Sequence, residues 1–390
     1  MVLPKHGGRV RISLTVRELE RHLDQTYFIR DKDEIPSPSL VVFLDLVKKN
    51  IDRAIEIVSG DVSKLRPHTK THKTAEIIQL QLDAGIAKHK CATLREARML
   101  AEVGVSDIVI AYQIIEPNIE RLVKLMQNFP EANFKVIVDH PTVVDQLSSA
   151  IDQNSLQLKV MIDLNVGMHR TGIEVGNAAV ELYAKIDQSK GLHAWGLHVY
   201  DGHIHDSNPM DREKSCQVTL GLVSDFKEML AERGLDVPIV VLGGTPTFPI
   251  YAKIPDVETS PGTFIFNDYG YSQKYPDLGF IPAALLLSRV ISIPTSGTFT
   301  LDLGHKAIAA DPKEDRGKIM DVERVEVSIH NEEHWTIKID DKNNNIDIGE
   351  EIFVMPTHVC PTVALHEFYY VIDADGHLID TWKVAARNRN

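Results

Sequence analysis

The sequence predicts an α/β protein, a (β/α)8 TIM-type barrel followed by a C-terminal, mostly antiparallel β domain. Two patterns carry this. From residue 39 to about 266 short β-rich runs alternate with amphipathic helical stretches, as parallel βαβ units do. After about residue 280 helical periodicity fades, and strand patterns are joined by turn-rich links. A length of 390 residues with 43% hydrophobic content leaves room for two cores.

The apolar run 40–44 opens the alternation, and Val47, Ile51, Ala54, Ile55 and Val58 follow it with helical spacing. Further strands are expected at 64–67, 88–91, 108–111, 134–138, 158–162, 196–199, 239–242 and 263–266, with helices such as 93–103 and 218–233 between them. Nine strands are one more than a (β/α)8 barrel needs, and a doubly wound open sheet is the alternative. In the second unit 322–330, 335–339, 351–356 and 367–373 read as strands, linked by turns at 341–345 and 373–376. The expected division is an N-terminal extension (1–38, with a helical pattern at 16–23), the barrel (39–281) and the β domain (282–390).

A net charge of −13 without any Lys/Arg-rich run argues against a nucleic-acid partner. Cys91, Cys216 and Cys360 are few, odd in number and far apart, which fits a reducing compartment rather than a disulfide framework. The N-terminus lacks the apolar core of a signal peptide, and the most apolar stretch, 281–294, carries Arg289 and is too short to span a bilayer. A soluble, cytoplasmic protein with no membrane partner is expected.

Five segments carry chemistry. Residues 66–73 read Arg-Pro-His-Thr-Lys-Thr-His-Lys after a strand, where barrel active sites gather. A lysine that attacks a carbonyl must be neutral, and Arg66, His68, His72 and Lys73 supply cationic surroundings that would lower the pKa of Lys70. A solvated basic turn fits the same octapeptide. At 163–172, Asp-Leu-Asn-Val-Gly-Met-His-Arg-Thr-Gly could position Arg170 on an anionic oxygen, though a structural βα turn explains it equally. The segment 196–203 ends a strand with Tyr200, whose ring could lie against a planar cofactor.

Leu242-Gly243-Gly244-Thr245-Pro246-Thr247 joins a strand to a helical stretch, and Ser260-Pro261-Gly262-Thr263 offers a second loop of the same kind. Exposed backbone N–H groups with hydroxyls beside them make an anion cradle suited to the phosphate of a small cofactor; a tight turn is the alternative. Last, Pro356-Thr357-His358-Val359-Cys360-Pro361 follows a strand. In extended backbone alternate residues share a side, so His358 and Cys360 could converge on Zn²⁺, with water and substrate completing the shell. A buried cysteine beside a structural histidine fits the spacing too.

Taken together, residues 66–73 and His358-Val359-Cys360-Pro361-Thr362-Val363, in this order and about 290 residues apart, resemble the fold-type III pyridoxal-phosphate enzymes. Among them the likeness is in particular to the D-threonine aldolase / D-serine dehydratase family, whose barrel is like that of alanine racemase. The resemblance runs from about residue 36 onward. It implies that Lys70 holds pyridoxal 5′-phosphate as a Schiff base, with His72 a proton carrier beside it. Arg170, in a segment similar to the racemase motif D-x-G-M-x-R-x-G, would approach the phenolic oxygen of the cofactor, and Tyr200 would lie against its ring. Gly243, Gly244, Thr245, Gly262 and Thr263 would hold the phosphate. His358 and Cys360 would bind a divalent metal, Zn²⁺ or Mn²⁺/Mg²⁺, near the substrate's β-hydroxyl. The family architecture also places strand 40–44 with the β domain, leaving eight for the barrel.

Two departures from the racemases weigh against two-base racemisation. Ser260 stands where they carry an arginine before Pro-Gly, and no match to their second catalytic base, a tyrosine from the partner subunit, is found. The resemblance thus implies a metal-dependent lyase acting on a small D-3-hydroxy amino acid, and a homodimer. Retro-aldol cleavage of the D-threonine aldolase type leads, because the overall pattern is that of the broad family. Elimination of the D-serine dehydratase type is the alternative, since the H-x-C pair looks like its members. A non-catalytic cofactor-binding protein is less favoured, because such small barrels lack a C-terminal β domain.

Overall fold

The computed structural model describes residues 26–312, 315–320, 322, 325–339 and 346–389. The expected helical pattern at 16–23 and the turn at 341–345 lie outside the described residues. Strand β1 (Ser39–Phe43) and helix α1 (Leu44–Ile57) come first. The barrel follows with α2 (Ala75–Asp83), β2 (Lys88–Cys91), α3 (Leu94–Val103), β3 (Asp107–Ile110), α4 (Asn118–Asn128), β4 (Asn133–Val138), α5 (Pro141–Gln153) and β5 (Leu158–Asn165). It continues through β6 (Ile173–Glu174), α6 (Asn177–Gln188), β7 (Leu192–Val199), α7 (Pro209–Ala231), β8 (Ile239–Leu242), α8 (Phe248–Tyr251), β9 (Val257–Thr259) and α9 (Tyr269–Lys274). The helices start and stop where the sequence provides for it. Thr93 caps α3 by accepting the Glu96 N–H, Gly104 ends it in the left-handed region, and Asn208 with Pro209 opens α7.

Strands β2-β3-β4-β5-β7-β8-β9 run parallel in that order, with β6 attached to β5. The two edges are joined through the segment after α1, where Leu65 bridges Thr259 and His68 bridges Lys90. This closes a barrel and excludes the open sheet. Two expected strands differ. The 64–67 segment contributes only these bridges, after a 3-10 turn at Val62–Lys64. The apolar run 263–266 is a buried 3-10 turn, Thr263–Ile265, whose Phe264 packs on Phe280, while the following Phe266 packs on Tyr369. The strand proper is β9, six residues earlier, and its middle residue is a charge turned inward.

That charge, Glu258, belongs to a buried network towards the N-terminal ends of the strands. Arg66, with no exposed surface, donates to Glu258 (2.6 Å) and to Asp107 (2.6 Å), and Lys135 and Lys88 complete the pairs at 2.5 Å each. A small apolar layer of Val109, Ile137, Met161 and Val241 fills the lumen.

The second unit comprises β10 (Ala284–Thr295), β11 (Thr298–Leu301), β12 (Gly317–Ile319), β13 (Glu326–His330), β14 (Trp335–Lys338), β15 (Glu351–Pro356), α10 (Val359–Leu365), β16 (Phe368–Ile372) and β17 (Leu378–Lys383). Its sheet runs β13-β14-β11-β10-β1-β16-β17, with β15 between β10 and β12. Strand β1 is therefore lodged in this sheet, antiparallel to β10 and parallel to β16. All five of its residues are buried, in one core with α1 and the 264–280 segment. β1 thus belongs to the β domain, and α1 carries the chain from it to the barrel. Among the described residues no helix is long and apolar enough to cross a membrane.

Removing one partner of a buried ion pair strands the other in a low-dielectric interior. Arg66→Met should therefore lower the unfolding free energy by about 3–5 kcal/mol in urea titration; a loss under about 1 kcal/mol would show that Asp107 and Glu258 are satisfied without it.

Candidate active site

Residues 66–74 form a loop pinned on both sides. His68 N–H donates to the Pro261 carbonyl (2.8 Å), Thr69 N–H to Lys90 (2.9 Å), and Lys90 N–H back to Pro67 (2.8 Å). Lys70, half-buried, projects from this loop with Nζ 5.7 Å from the centroid of the Tyr200 ring. Arg170 lies over the same ring at 4.7 Å. Two glycines flank that ring. A Cβ on Gly202 would lie 2.3 Å from it and one on Gly244 3.4 Å, so glycine preserves the space. The structure brings Lys70, Tyr200 and Arg170 together.

The anion cradle lies on the same side. Gly243 has φ +81°, in the left-handed region, and a Cβ there would meet Tyr251 and the Thr247 hydroxyl below 3 Å. Gly244 N–H donates to Thr247 Oγ1 (3.1 Å), while Gly262 and Phe264 N–H groups donate to Thr245 Oγ1 (3.1 and 3.3 Å). Thr245 thus ties the two loops into one cradle. Gly262 abuts the Lys70 loop, where a Cβ would be 3.2 Å from that of His68. A phosphate here would draw on N–H groups that threonine hydroxyls engage in this structure.

His358 and Cys360 converge, but not along an extended strand. His358 is the extended residue before α10, and Cys360 lies in its first turn, so the strand–helix junction brings the imidazole and thiol together. Asp268 fixes this junction, accepting from Val359 N–H (3.0 Å) and from Tyr271 N–H (2.8 Å). Burial alone pushes the His358 imidazole down, but Cys360 and Asp311, the latter 2.5 Å from Nδ1, offset this and lift its pKa to about 9. Burial raises the Cys360 thiol, yet His358, Thr71 and Lys70 hold it below its usual value. A polarised thiol beside an imidazole is a donor pair for a borderline-soft divalent ion. Among the described residues no cluster of three or more His, Cys, Asp or Glu side chains stands ready for a metal, so this pair would need water or substrate to complete a shell. It lies against the Lys70 loop, with Thr71 Oγ1 3.2 Å from Cys360 Sγ and Thr263 Oγ1 at 3.7 Å.

Other members of the basic octapeptide do structural work. Lys73 is paired with buried Glu96. His72 departs from the expected proton carrier. Its Nδ1 accepts from Thr74 N–H (3.3 Å), its Nε2 is buried without a partner, and its carbonyl accepts from Tyr369. Burial pushes its pKa down to about 3, so it stays neutral and takes up no proton near neutral pH. Ser260 donates to the Arg66 carbonyl (2.9 Å).

What sequence reasoning missed is a polar layer in the barrel mouth. Lys90, 3% exposed, has Nζ 3.4 Å from His198 Nε2, and His198 Nδ1 is 2.7 Å from Asp163 Oδ1. Asp163 also accepts from Thr171, next to Arg170 (2.9 Å). The strand spelled Lys-His-Lys-Cys gave one signal, a charge at an inward position.

If Lys70 forms the imine, Lys70→Ala should lose the visible absorbance of bound pyridoxal phosphate. Lys73→Ala should keep it while costing about 3 kcal/mol in stability; the reverse pattern would assign the imine to Lys73. His72 and His89 both have folded pKa values of about 3, well below the unfolded 6.5. Between those values the unfolded chain binds the extra protons, so stability falls as pH drops below 6.5. Each histidine contributes a slope of up to about 1.4 kcal/mol per pH unit. His89→Gln should reduce that slope in urea titrations, and an unchanged slope would contradict the assignment.

Comparison with known proteins agrees with this geometry. A family model described as alanine racemase, N-terminal domain, matches residues 42–270, and a serine dehydratase domain model matches 283–372. D-threonine aldolase of Arthrobacter sp. is 27% identical over 359 residues, covering 90% of this chain and 93% of that protein. D-threo-3-hydroxyaspartate dehydratase of Delftia sp. is 25% identical over 374 residues, covering 90% and 97%. The crystal structure of D-threonine aldolase from Filomicrobium marinum superposes with a TM-score of 0.83 at 27% identity, covering 93% of this chain and 98% of that one. The chain belongs to the fold-type III, alanine-racemase-like family that includes the D-threonine aldolases and D-serine dehydratases.

Proposed function

We propose that this chain is a pyridoxal-phosphate- and divalent-metal-dependent lyase that cleaves D-3-hydroxy amino acids in the manner of a D-threonine aldolase. One observation supports the reading: Thr71 Oγ1 lies 3.2 Å from Cys360 Sγ, so the loop that bears Lys70 touches the donor pair His358 and Cys360. A substrate with an amine on Cα and a hydroxyl on Cβ needs those two chemistries side by side. Lys70 would hold the cofactor, Tyr200 and Arg170 would fix its ring, and Gly243, Gly244, Thr245, Gly262 and Thr263 would cradle its phosphate. His358 and Cys360 would hold the metal, with Asp311 orienting His358.

When bound, the cofactor ring supplies an electron sink for charge left on Cα, and the metal supplies a Lewis acid for the β-oxygen. The protein's part is placement. Tyr200 and the flanking glycines make a slot for a planar ring, and Arg170, resting on Tyr200, offers a charge-assisted donor at its edge. Lys70 Nζ would hold the cofactor and, once released from it, would be placed to carry a proton. In retro-aldol cleavage a base takes the hydroxyl proton, the Cα–Cβ bond breaks as the β-oxygen becomes the aldehyde carbonyl, and Cα takes up a proton to give glycine. A homodimer in the cytoplasm is part of the reading.

Elimination to 2-oxo acid and ammonia is the second reading. It draws on the thiol in the second donor position and on the likeness to a 3-hydroxyaspartate dehydratase. Incubation with D-threonine and with D-serine, plus pyridoxal phosphate and Zn²⁺ or Mn²⁺, separates the two. Glycine with acetaldehyde supports the aldolase, and ammonia with oxo acid the dehydratase. His358→Ala and Cys360→Ala should each abolish turnover while leaving bound cofactor, whereas full activity after chelation would remove the metal from the reaction.

A further inference from the structure

Buried lysines are rare unless a carboxylate pairs with them. Lys90 is buried in the barrel mouth with no direct carboxylate partner among the described residues. Its polar neighbour is His198 Nε2, at 3.4 Å, and the negative charge that supports it lies one imidazole away, on Asp163. His198 Nδ1 donates to that carboxylate, which leaves Nε2 to accept from the lysine. The carboxylate in turn accepts from Thr171, so the row ends beside Arg170. The backbone of Lys90 pins the loop bearing Lys70 through its bonds to Pro67 and Thr69.

The charges facing Lys90 come from every side of the mouth. Lys70 and Arg66 oppose its charge, Asp163 and Asp201 favour it, and His68 and His198 lie in the same field. Such a group costs stability to bury, so its retention calls for a role.

We propose that Lys90 is a positioning residue of the cofactor chamber, a cation held by the His198–Asp163 pair that disfavours a second positive charge on the cofactor bound at Lys70. The proposal rests on the reading that Lys70 carries pyridoxal phosphate. Burial, with the charge of Lys70, draws the pKa of Lys90 down to about 7, so the charge is present in mildly acidic solution. Through a partly desolvated interior one unit charge shifts a neighbouring protonation equilibrium by about one to two pH units.

The test reads the visible spectrum of the cofactor-loaded protein at about pH 6. The quantity is the ratio of the protonated to the unprotonated form of the Lys70 chromophore. Lys90→Met keeps the chain length and removes the charge, and the ratio should rise about tenfold or more. Lys90→Arg restores a permanent charge and should bring the ratio back towards wild type, which a purely structural role would not do.

An unchanged ratio in folded, cofactor-loaded Lys90→Met, or the same shift in the Met and Arg variants, would overturn the proposal. Should the Met variant fail to fold, Lys90→Gln, which keeps a polar side chain without the charge, should give the same rise, and an unchanged ratio there would overturn the proposal instead. Absence of any borohydride-reducible chromophore in the wild-type protein would overturn the cofactor reading and this proposal together.

Discussion

A single contact between two units, Thr71 Oγ1 against Cys360 Sγ at 3.2 Å, gives the site its meaning. Neither unit alone holds both chemistries. The barrel supplies an amine beside a glycine-flanked ring, and the β domain supplies an imidazole and a thiol. Their meeting depends on β1, which is fully buried in the C-terminal sheet between β10 and β16 before α1 leads the chain to the barrel. Asp268 completes the joint by capping the junction at Val359 and the start of α9 with one carboxylate. The architecture joins barrel and β domain across one candidate site rather than appending a separate module.

The barrel interior is polar at both ends of a thin apolar layer. Towards the strand N-termini, Arg66, Lys88 and Lys135 each pair directly with Asp107 or Glu258, which keeps buried charges tolerable. Towards the mouth, Lys90 has no such direct partner, and the Asp163 charge reaches it only through His198. Pairing is direct where the fold is held and relayed at the mouth, where the candidate site lies, a division common to sites built on stable scaffolds.

The sequence made Lys70, Tyr200, Arg170 and the His358–Cys360 pair legible because each sits in a local pattern that spacing or family likeness can read. Strand β9 was not legible: Val-Glu-Thr offers little alternation, and the partner that makes Glu258 a buried residue is 192 positions away. The apolar run 263–266 misled for the opposite reason, since a turn packed against Phe280 and Tyr369 buries side chains in several directions. His72 was placed near the reacting amine by proximity in sequence. Its loop turns it instead into a pocket with Thr74 and Tyr369, where an imidazole stays neutral. Lys90 escaped notice because a lone lysine in a strand is ordinarily at the surface, and only closure of the barrel turns it inward.

The central claim is that two distant segments form one site, and diffraction reads this directly. Crystals loaded with pyridoxal phosphate and Zn²⁺, measured at the zinc absorption edge, should show one anomalous peak bonded to Cys360 Sγ and a His358 nitrogen, with cofactor density continuous with Lys70 Nζ across a gap that one small amino acid fills. A zinc peak bound elsewhere, or a shell without sulfur while the cofactor sits on Lys70, would contradict the account.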